Sequence, residues 1–221
     1  MIGDIKHVFN RGVNKINTFI DDGDRERFLE CLYKFNNKDT ALRNQAEDFF
    51  KNPPLQEDKI VEILKWTIMP NHFHLLVYEL VDGGITEFTK RLGNGYTKYF
   101  NIKNERSGYL FQNTAKMNLL ENDQQFLYIP YYIDMNILDI GFPNWKNIGI
   151  KNIKKAIEFL DNYKWSSFSD YTRQRGRLTS QTDFSCLINK EMFYDLFDIT
   201  EKQYKKELID LIKNPIPKMK I

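Results

Sequence analysis

Residues 59–80, KIVEILKWTIMPNHFHLLVYEL, decide the fold. Lys59 to Met69 is rich in β-branched and aromatic residues and reads as a strand. Pro70-Asn71 breaks it, because proline fixes φ and offers no amide donor. HFHLLVYEL, 72–80, then resumes as a second strand. Two runs joined by so short a break predict antiparallel neighbours.

Working outward, IKHVFN at 5–10 predicts a first strand leading into Arg11-Gly12, and Thr18 to Ile20 a second, short one. Asp22-Gly23-Asp24 reads as a turn and N-cap. Phe28, Leu29, Leu32 and Phe35 follow at helical spacing. Residues 36–57 are polar and read as a short helix and a loop. Downstream, Ile85, Phe88, Leu92, Tyr99 and Phe100 mark one face of a helix from about 85 to 102. GYLFQNTAKMNLL, 108–120, reads as a loop and strand. Asp123 is expected to cap QQFLYIPYYIDMNIL, 124–138. Proline costs about 3 kcal/mol in a helix interior, so that helix should start at Pro130 or kink near it. Residues 151–221 read as mainly helical, with an irregular WSSFSDYT link and a basic RQRGR turn. The order of elements predicts an α+β fold: an antiparallel sheet with helices packed on it, then a mainly helical C-terminal extension.

Apolar residues are 42% of the 221, which permits a real core and excludes wholesale disorder. The net charge of +2 is a weak pointer to nucleic acid, but its distribution says more. Residues 85–119 carry Lys90, Arg91, Lys98, Lys103, Arg106 and Lys116 against Glu87 and Glu105. Residues 145–178 carry Lys146, Lys151, Lys154, Lys155, Lys164, Arg173, Arg175 and Arg177 against Glu158, Asp161 and Asp170. Such runs are equally what a solvated helix face looks like. Cys31 and Cys186 are far apart and read as reduced thiols of a cytosolic protein. No signal peptide and no membrane span are expected.

His72-Phe73-His74 is the sharpest motif. Side chains alternate across a strand, so both imidazoles share one face about 7 Å apart along the backbone. They can converge on one divalent ion or be a pair of structural histidines. Tyr132 and Asn136, four apart, share a helix face. That face presents a phenol and a carboxamide, a candidate nucleophile and third metal ligand. The same tyrosine also belongs to an aromatic cluster, Tyr128, Tyr131 and Tyr132, of the kind that fills cores.

WTIMPNHFHLLV, 66–77, resembles the signature of the single-tyrosine HUH transposases, closest to the REP-associated tyrosine transposases. In order along the chain, HVFNRG at 7–12, RLGNGYTKYFN at 91–101, SGYLFQ at 107–112, YIDMN at 132–136 and YKWSSFSDY at 163–171 also resemble that family. The resemblance covers about 7–171. It implies a ferredoxin/RRM-like HUH fold, with a catalytic domain at 1–145 and a helical extension at 146–221. It implies His72, His74 and Asn136 as ligands of Mg²⁺ or Mn²⁺, and Tyr132 as the nucleophile. The chain departs from the family at Asp134, where His is common, at Ile137, where Pro is common, and at Asn113-Thr114, where Gly-Arg is common.

The implied chemistry is cleavage and rejoining of single-stranded DNA beside a hairpin, through a 5′-phosphotyrosine, as in transposition or repeat mobilisation. The metal and nearby basic groups are expected to favour phenolate. Arg11, Lys90, Arg91, Lys98, Arg106, Lys154 and Lys155 are candidate DNA contacts. Trp165 and Tyr171 either stack on bases or pack the extension onto the main domain. A monomer or homodimer in a prokaryotic, nucleoid-associated cytoplasm is implied. The rival readings are a non-catalytic hairpin-binding module of the same fold, a replication-initiator-like or relaxase-like nuclease, and an unrelated metallohydrolase using His72 and His74.

Overall fold

A computed structural model describes residues 1–38, 56, 58–120, 122–172 and 184–215. The elements are β1 (Ile5–Arg11), α1 (Asp22–Lys34), β2 (Val61–Met69), β3 (His72–Glu79), α2 (Gly84–Lys103), β4 (Lys116–Leu119) and α3 (Asp123–Met135). There follow α4 (Leu138–Gly141), α5 (Trp145–Ile148), α6 (Ile153–Asn162), α7 (Phe168–Thr172), α8 (Lys190–Phe197) and α9 (Glu201–Lys213). Most of the helix and loop expected at 36–57, and the whole RQRGR turn, lie outside the described residues.

The four strands form one sheet in the order β2-β3-β1-β4, with every neighbouring pair antiparallel. With α1 between β1 and β2 and α2 between β3 and β4, this is the split βαβ arrangement of ferredoxin-like domains. β2 and β3 meet through Pro70-Asn71, with Met69 opposite His72. The two strands read as nearly continuous apolar runs because helices cover both faces of the sheet. On one face Val8, Trp66, Ile68, Phe73 and Leu75 pack with Phe28 and Leu32 of α1 and Phe88, Leu92 and Tyr96 of α2. On the other, Leu64 and Leu76 pack with Ile129 and Ile133 of α3 and with Phe193, Tyr204 and Leu208 of the C-terminal helices. Leu64 reaches that second core through a bulge: Ile63 pairs with Val77 and Lys65 with Leu76, leaving Leu64 over.

Lys65 is fully buried in the second core, where its ammonium lies 2.8 Å from the Asp134 carboxylate of α3. It also lies 2.7 Å from the Tyr204 hydroxyl, which donates to the same carboxylate at 2.6 Å. The rings of Tyr171 and Tyr204 flank it at 4.4 Å. Burial pushes Lys65 down and Asp134 up, and each ion opposes the shift of the other.

Several local expectations are corrected. Thr18 to Ile20 is not a strand. The amides of Thr18 and Phe19 both donate to the Pro70 carbonyl, so neither enters a ladder. Asp21, not the Asp22–Asp24 stretch, caps α1 in a reciprocal capping box with Asp24. Asn122, rather than Asp123, caps α3 by accepting from the Gln125 amide at 2.9 Å. The helix does not start at Pro130 but runs through it from Asp123. In the link after α6, the Ile68 amide donates to Trp165 and the Ser167 amide to Trp66, so the chain lies along β2 before entering α7. Trp165 and Tyr171 are both buried and pack the extension onto the sheet.

Removing one partner of a buried ion pair leaves an uncompensated charge, at a cost of about 3–5 kcal/mol. Asp134→Ala should therefore lower the unfolding free energy by about that much in urea titration. The double variant Lys65→Met/Asp134→Leu should recover most of it. A loss below about 1 kcal/mol for Asp134→Ala would contradict this packing.

Candidate functional site

The second face of the sheet is not sealed at the hairpin end. There β1 contributes Phe9 and Arg11, β3 contributes His72 and His74, and α3 lies above them with Tyr132 and Asn136. The segment before β4 closes one side with Gln112, Asn113 and Thr114, and Lys116 stands at its end. Together they line a pocket of about 200 Å³. The antiparallel register sets this floor, with Arg11 opposite His72 and Phe9 opposite His74. Gly12 follows Arg11 because the chain turns too tightly for a side chain: a Cβ there would sit 2.4 Å from the Ile16 carbonyl oxygen.

Each histidine is held through its Nδ1. The Nδ1 of His72 lies 2.6 Å from the Asn71 side-chain oxygen. That oxygen can only accept, since the Asn71 amide nitrogen is committed to the Lys15 carbonyl at 3.2 Å. His72 therefore carries its proton on Nδ1 and a lone pair on Nε2. The Nδ1 of His74 lies 2.8 Å from Nε2 of His7. The Nε2 of His74 is buried with no hydrogen-bond partner among the described residues. The two rings of the motif are 5.1 Å apart at 83°. Two imidazoles that share one ion at about 2.0–2.1 Å put their ring centres roughly 5 Å apart.

Burial pushes all three imidazoles down, His72 to about 4, His7 to about 3 and His74 well below its ordinary value. At neutral pH they are uncharged, the state a metal ligand requires. Asn136 spends its amide nitrogen on the Tyr132 carbonyl at 2.7 Å, leaving its side-chain oxygen as the acceptor. Among the described residues no three His, Cys, Asp or Glu side chains are grouped to hold a metal. The donor set available is thus two imidazoles and a carboxamide oxygen, which fits an ion that keeps open positions for phosphate oxygens.

The Tyr132 ring meets His74 and His7 edge-on, at 5.7 and 5.8 Å. Burial raises its phenol above the ordinary tyrosine value, and Asp139 adds to this. The Asn136 side chain and Arg11 act the other way. The expected phenolate is thus not favoured by the surrounding side chains, because desolvation outweighs Arg11.

Of the basic candidates, Arg11 alone lines the pocket. Lys90, Arg91 and Lys98 lie on α2, which packs on the opposite face of the sheet. Arg91 is engaged by Glu87 at 2.7 Å and by the Asn37 carbonyl at 2.6 Å. Arg106 donates to the Tyr109 carbonyl at 3.1 Å. Lys154 and Lys155 are exposed at the start of α6. The sequence reading missed three contributors: His7, Asn71 and, as a pocket residue, Lys116. Asn71 stands inside the quoted motif, and His7 is the third histidine of the chain, on the first strand. Of the three departures from the family pattern, Asp134 and Ile137 are buried in the second core, and only Asn113-Thr114 reaches the pocket.

No family model matches the chain, and no curated protein matches it. A solved structure of a REP-associated tyrosine transposase bound to a REP hairpin is similar in chain path, with 13% identity and a TM-score of 0.46 over 86% of this chain and 93% of that one. A likeness at that level says nothing about residues or reaction. No helix among the described residues is long and apolar enough to cross a membrane.

The buried histidines make stability depend on pH. The unfolded imidazoles take up protons near pH 6.5, the folded ones only near 4 or lower. Below 6.5 the unfolded state binds more protons, so stability falls as pH drops from 6.5 towards 4, by up to about 1.4 kcal/mol per pH unit for each histidine. Urea midpoints of the metal-free protein should decline over this window, and less steeply in His72→Phe. A flat midpoint from pH 6.5 to 4.5 would contradict neutral, buried imidazoles.

Proposed function

We propose that the chain cuts and rejoins single-stranded DNA in the manner of the single-tyrosine HUH transposases, with Tyr132 as nucleophile and Mg²⁺ or Mn²⁺ held by His72, His74 and Asn136. The observation that carries this reading is the meeting of a phenol, a carboxamide oxygen and two neutral imidazoles at one pocket. They come from β3 and α3, separated in sequence by the whole of α2 and β4.

His72, His74 and Asn136 would hold the ion, which would supply Lewis-acid polarisation of a phosphate oxygen. The remaining work falls to the chain. Arg11 and Lys116 supply cations at the pocket for the flanking phosphates. Phe9 and Tyr132 supply aromatic surface, which suits an unstacked strand rather than a duplex. The Tyr132 oxygen forms a bond to phosphorus as the P–O3′ bond breaks. The 5′-phosphate stays on the tyrosine and a 3′-hydroxyl is released. Attack by a 3′-hydroxyl on the phosphotyrosine reverses the step, so the bond energy is kept for rejoining. The phenol gives up its proton as the new bond forms, and the departing 3′ oxygen takes one up. A hairpin beside the cleaved strand belongs to this proposal, and the exposed lysines Lys90, Lys98, Lys154 and Lys155 are its candidate contacts outside the pocket.

Labelled single-stranded hairpins from the surrounding genomic sequence, incubated with the protein and Mn²⁺ or Mg²⁺, should give protein-linked DNA on a denaturing gel. Imidazole donors suit Mn²⁺ better than Mg²⁺, so Mn²⁺ should give the faster reaction. Tyr132→Phe should abolish the adduct, and His72→Ala should reduce it by at least about a hundredfold, as loss of a ligand to a reacting centre does. Cleavage with no adduct would replace this reading with metal-dependent hydrolysis. Tight binding of hairpins with no cleavage would replace it with a binding module.

A further inference from the structure

The His7–His74 contact has no role in the reaction as written, yet it is unusual. Two neutral imidazoles 2.8 Å apart share one hydrogen bond, so one proton lies between them. Among the described residues neither outer nitrogen, His7 Nδ1 or His74 Nε2, has a hydrogen-bond partner, and both are buried. Two arrangements satisfy the contact. In one, His7 Nε2 donates, and His74 must then carry its proton on Nε2, towards the pocket. In the other, His74 Nδ1 donates to His7 Nε2, and His74 Nε2 is left with a lone pair. Only the second lets His74 bind a metal ion. His72 has no such choice, because Asn71 presents it with an oxygen that only accepts.

We propose that His7 is a positioning residue of the site: its Nε2 accepts the Nδ1 proton of His74 and holds His74 in the tautomer and orientation that aim its Nε2 lone pair at the metal. The inference rests on the metal site proposed above. A ligating imidazole commonly donates its second N–H to a neighbouring group, and loss of that group typically weakens metal binding ten- to a hundredfold. Here that group is another histidine, held by its own packing. His7 lies on β1 two pairs along from the Phe9–His74 pair, opposite Leu76 and on the same face. Its ring stacks on Phe9 at 4.8 Å, lies side by side and nearly coplanar with that of His74 (10°, centroids 5.1 Å apart), and Tyr132 closes it edge-on at 5.8 Å. It is 1% exposed, so solvent cannot substitute for it. Between the two arrangements the His7 Nε2 proton passes along the hydrogen bond to His74 Nδ1. The His74 Nε2 proton leaves through the pocket to water, and His7 Nδ1 takes one up from water, so both rings stay neutral and the net proton count is unchanged.

The test uses the full chain with Mn²⁺ and Zn²⁺ as probes. Free Mn²⁺, followed by electron paramagnetic resonance, gives the affinity of wild type, His7→Phe and His7→Gln. His7→Phe should bind about ten- to a hundredfold more weakly. His7→Gln, whose side-chain oxygen falls near the position of the lost Nε2, should come within about threefold of wild type. Long-range ¹⁵N–¹H spectra of the Zn²⁺-loaded wild type should show His74 protonated on Nδ1 alone, coupled to His7 Nε2. Unchanged affinity in His7→Phe, or a His74 Nδ1 without a proton in the Zn²⁺ form, overturns the proposal. If His7→Phe does not fold, the wild-type spectrum and His7→Gln decide it. Wild type that binds neither ion overturns it together with the metal site. Wild type that binds both ions as described but forms no DNA adduct overturns the nicking reading alone, whereas adduct formation with unchanged affinity in His7→Phe overturns this proposal alone.

Discussion

The contact between Lys65 and Asp134 fixes where helix α3 lies, and the site depends on where that helix lies. Both ions are fully buried, so neither tolerates misplacement: an ammonium and a carboxylate taken out of water must find each other and their remaining partners. Tyr204 supplies the third partner and the rings of Tyr171 and Tyr204 the walls. The bulge at Leu64 aims both Leu64 and Lys65 at this core. One polar cluster thus ties the sheet, the helix that carries Tyr132 and the C-terminal helices into a single arrangement.

Helical periodicity does the rest. Tyr132 and Asn136 stand two residues before and two after Asp134, so they project away from it. With Asp134 pinned to Lys65, the phenol and the carboxamide project over the hairpin end of the sheet, where His72 and His74 emerge. The same geometry keeps Asp134 out of the pocket that Tyr132 and Asn136 line. Asp134 faces the core, where its counter-ion waits, and takes no part in the pocket. The arrangement also sets a chemical condition. The walls that orient Tyr132 also desolvate it, which raises its phenol above the ordinary tyrosine value.

Much of this was legible in the sequence because it is periodic and local. Alternation along 72–79 put both histidines of the motif on one face, and four-residue spacing put Tyr132 beside Asn136. The hairpin and the long helix α2 followed from apolar patterning. Most of what escaped was set by contacts distant in the chain. Thr18 to Ile20 has strand-like residues, but its amides are claimed by Pro70. Pro130 sits inside α3 because packing on both sides of that helix overrides a local cost. Arg91 has the charge of a DNA contact, yet Glu87 and Asn37 hold it. The partnership of His7 with His74 depends on the register between β1 and β3, which no local pattern encodes.

The central claim is that the oxygen of Tyr132, rather than an activated water or another of the clustered tyrosines, attacks the phosphate. The direct measurement is to trap the reaction with Mn²⁺ and a single-stranded hairpin, digest the DNA and the protein, and sequence the modified peptide by mass spectrometry. The account predicts one modified residue, Tyr132, bearing the 5′-phosphate of the remaining nucleotide. A nucleotide on Tyr128 or Tyr131, or cleaved DNA with no modified peptide, would contradict it.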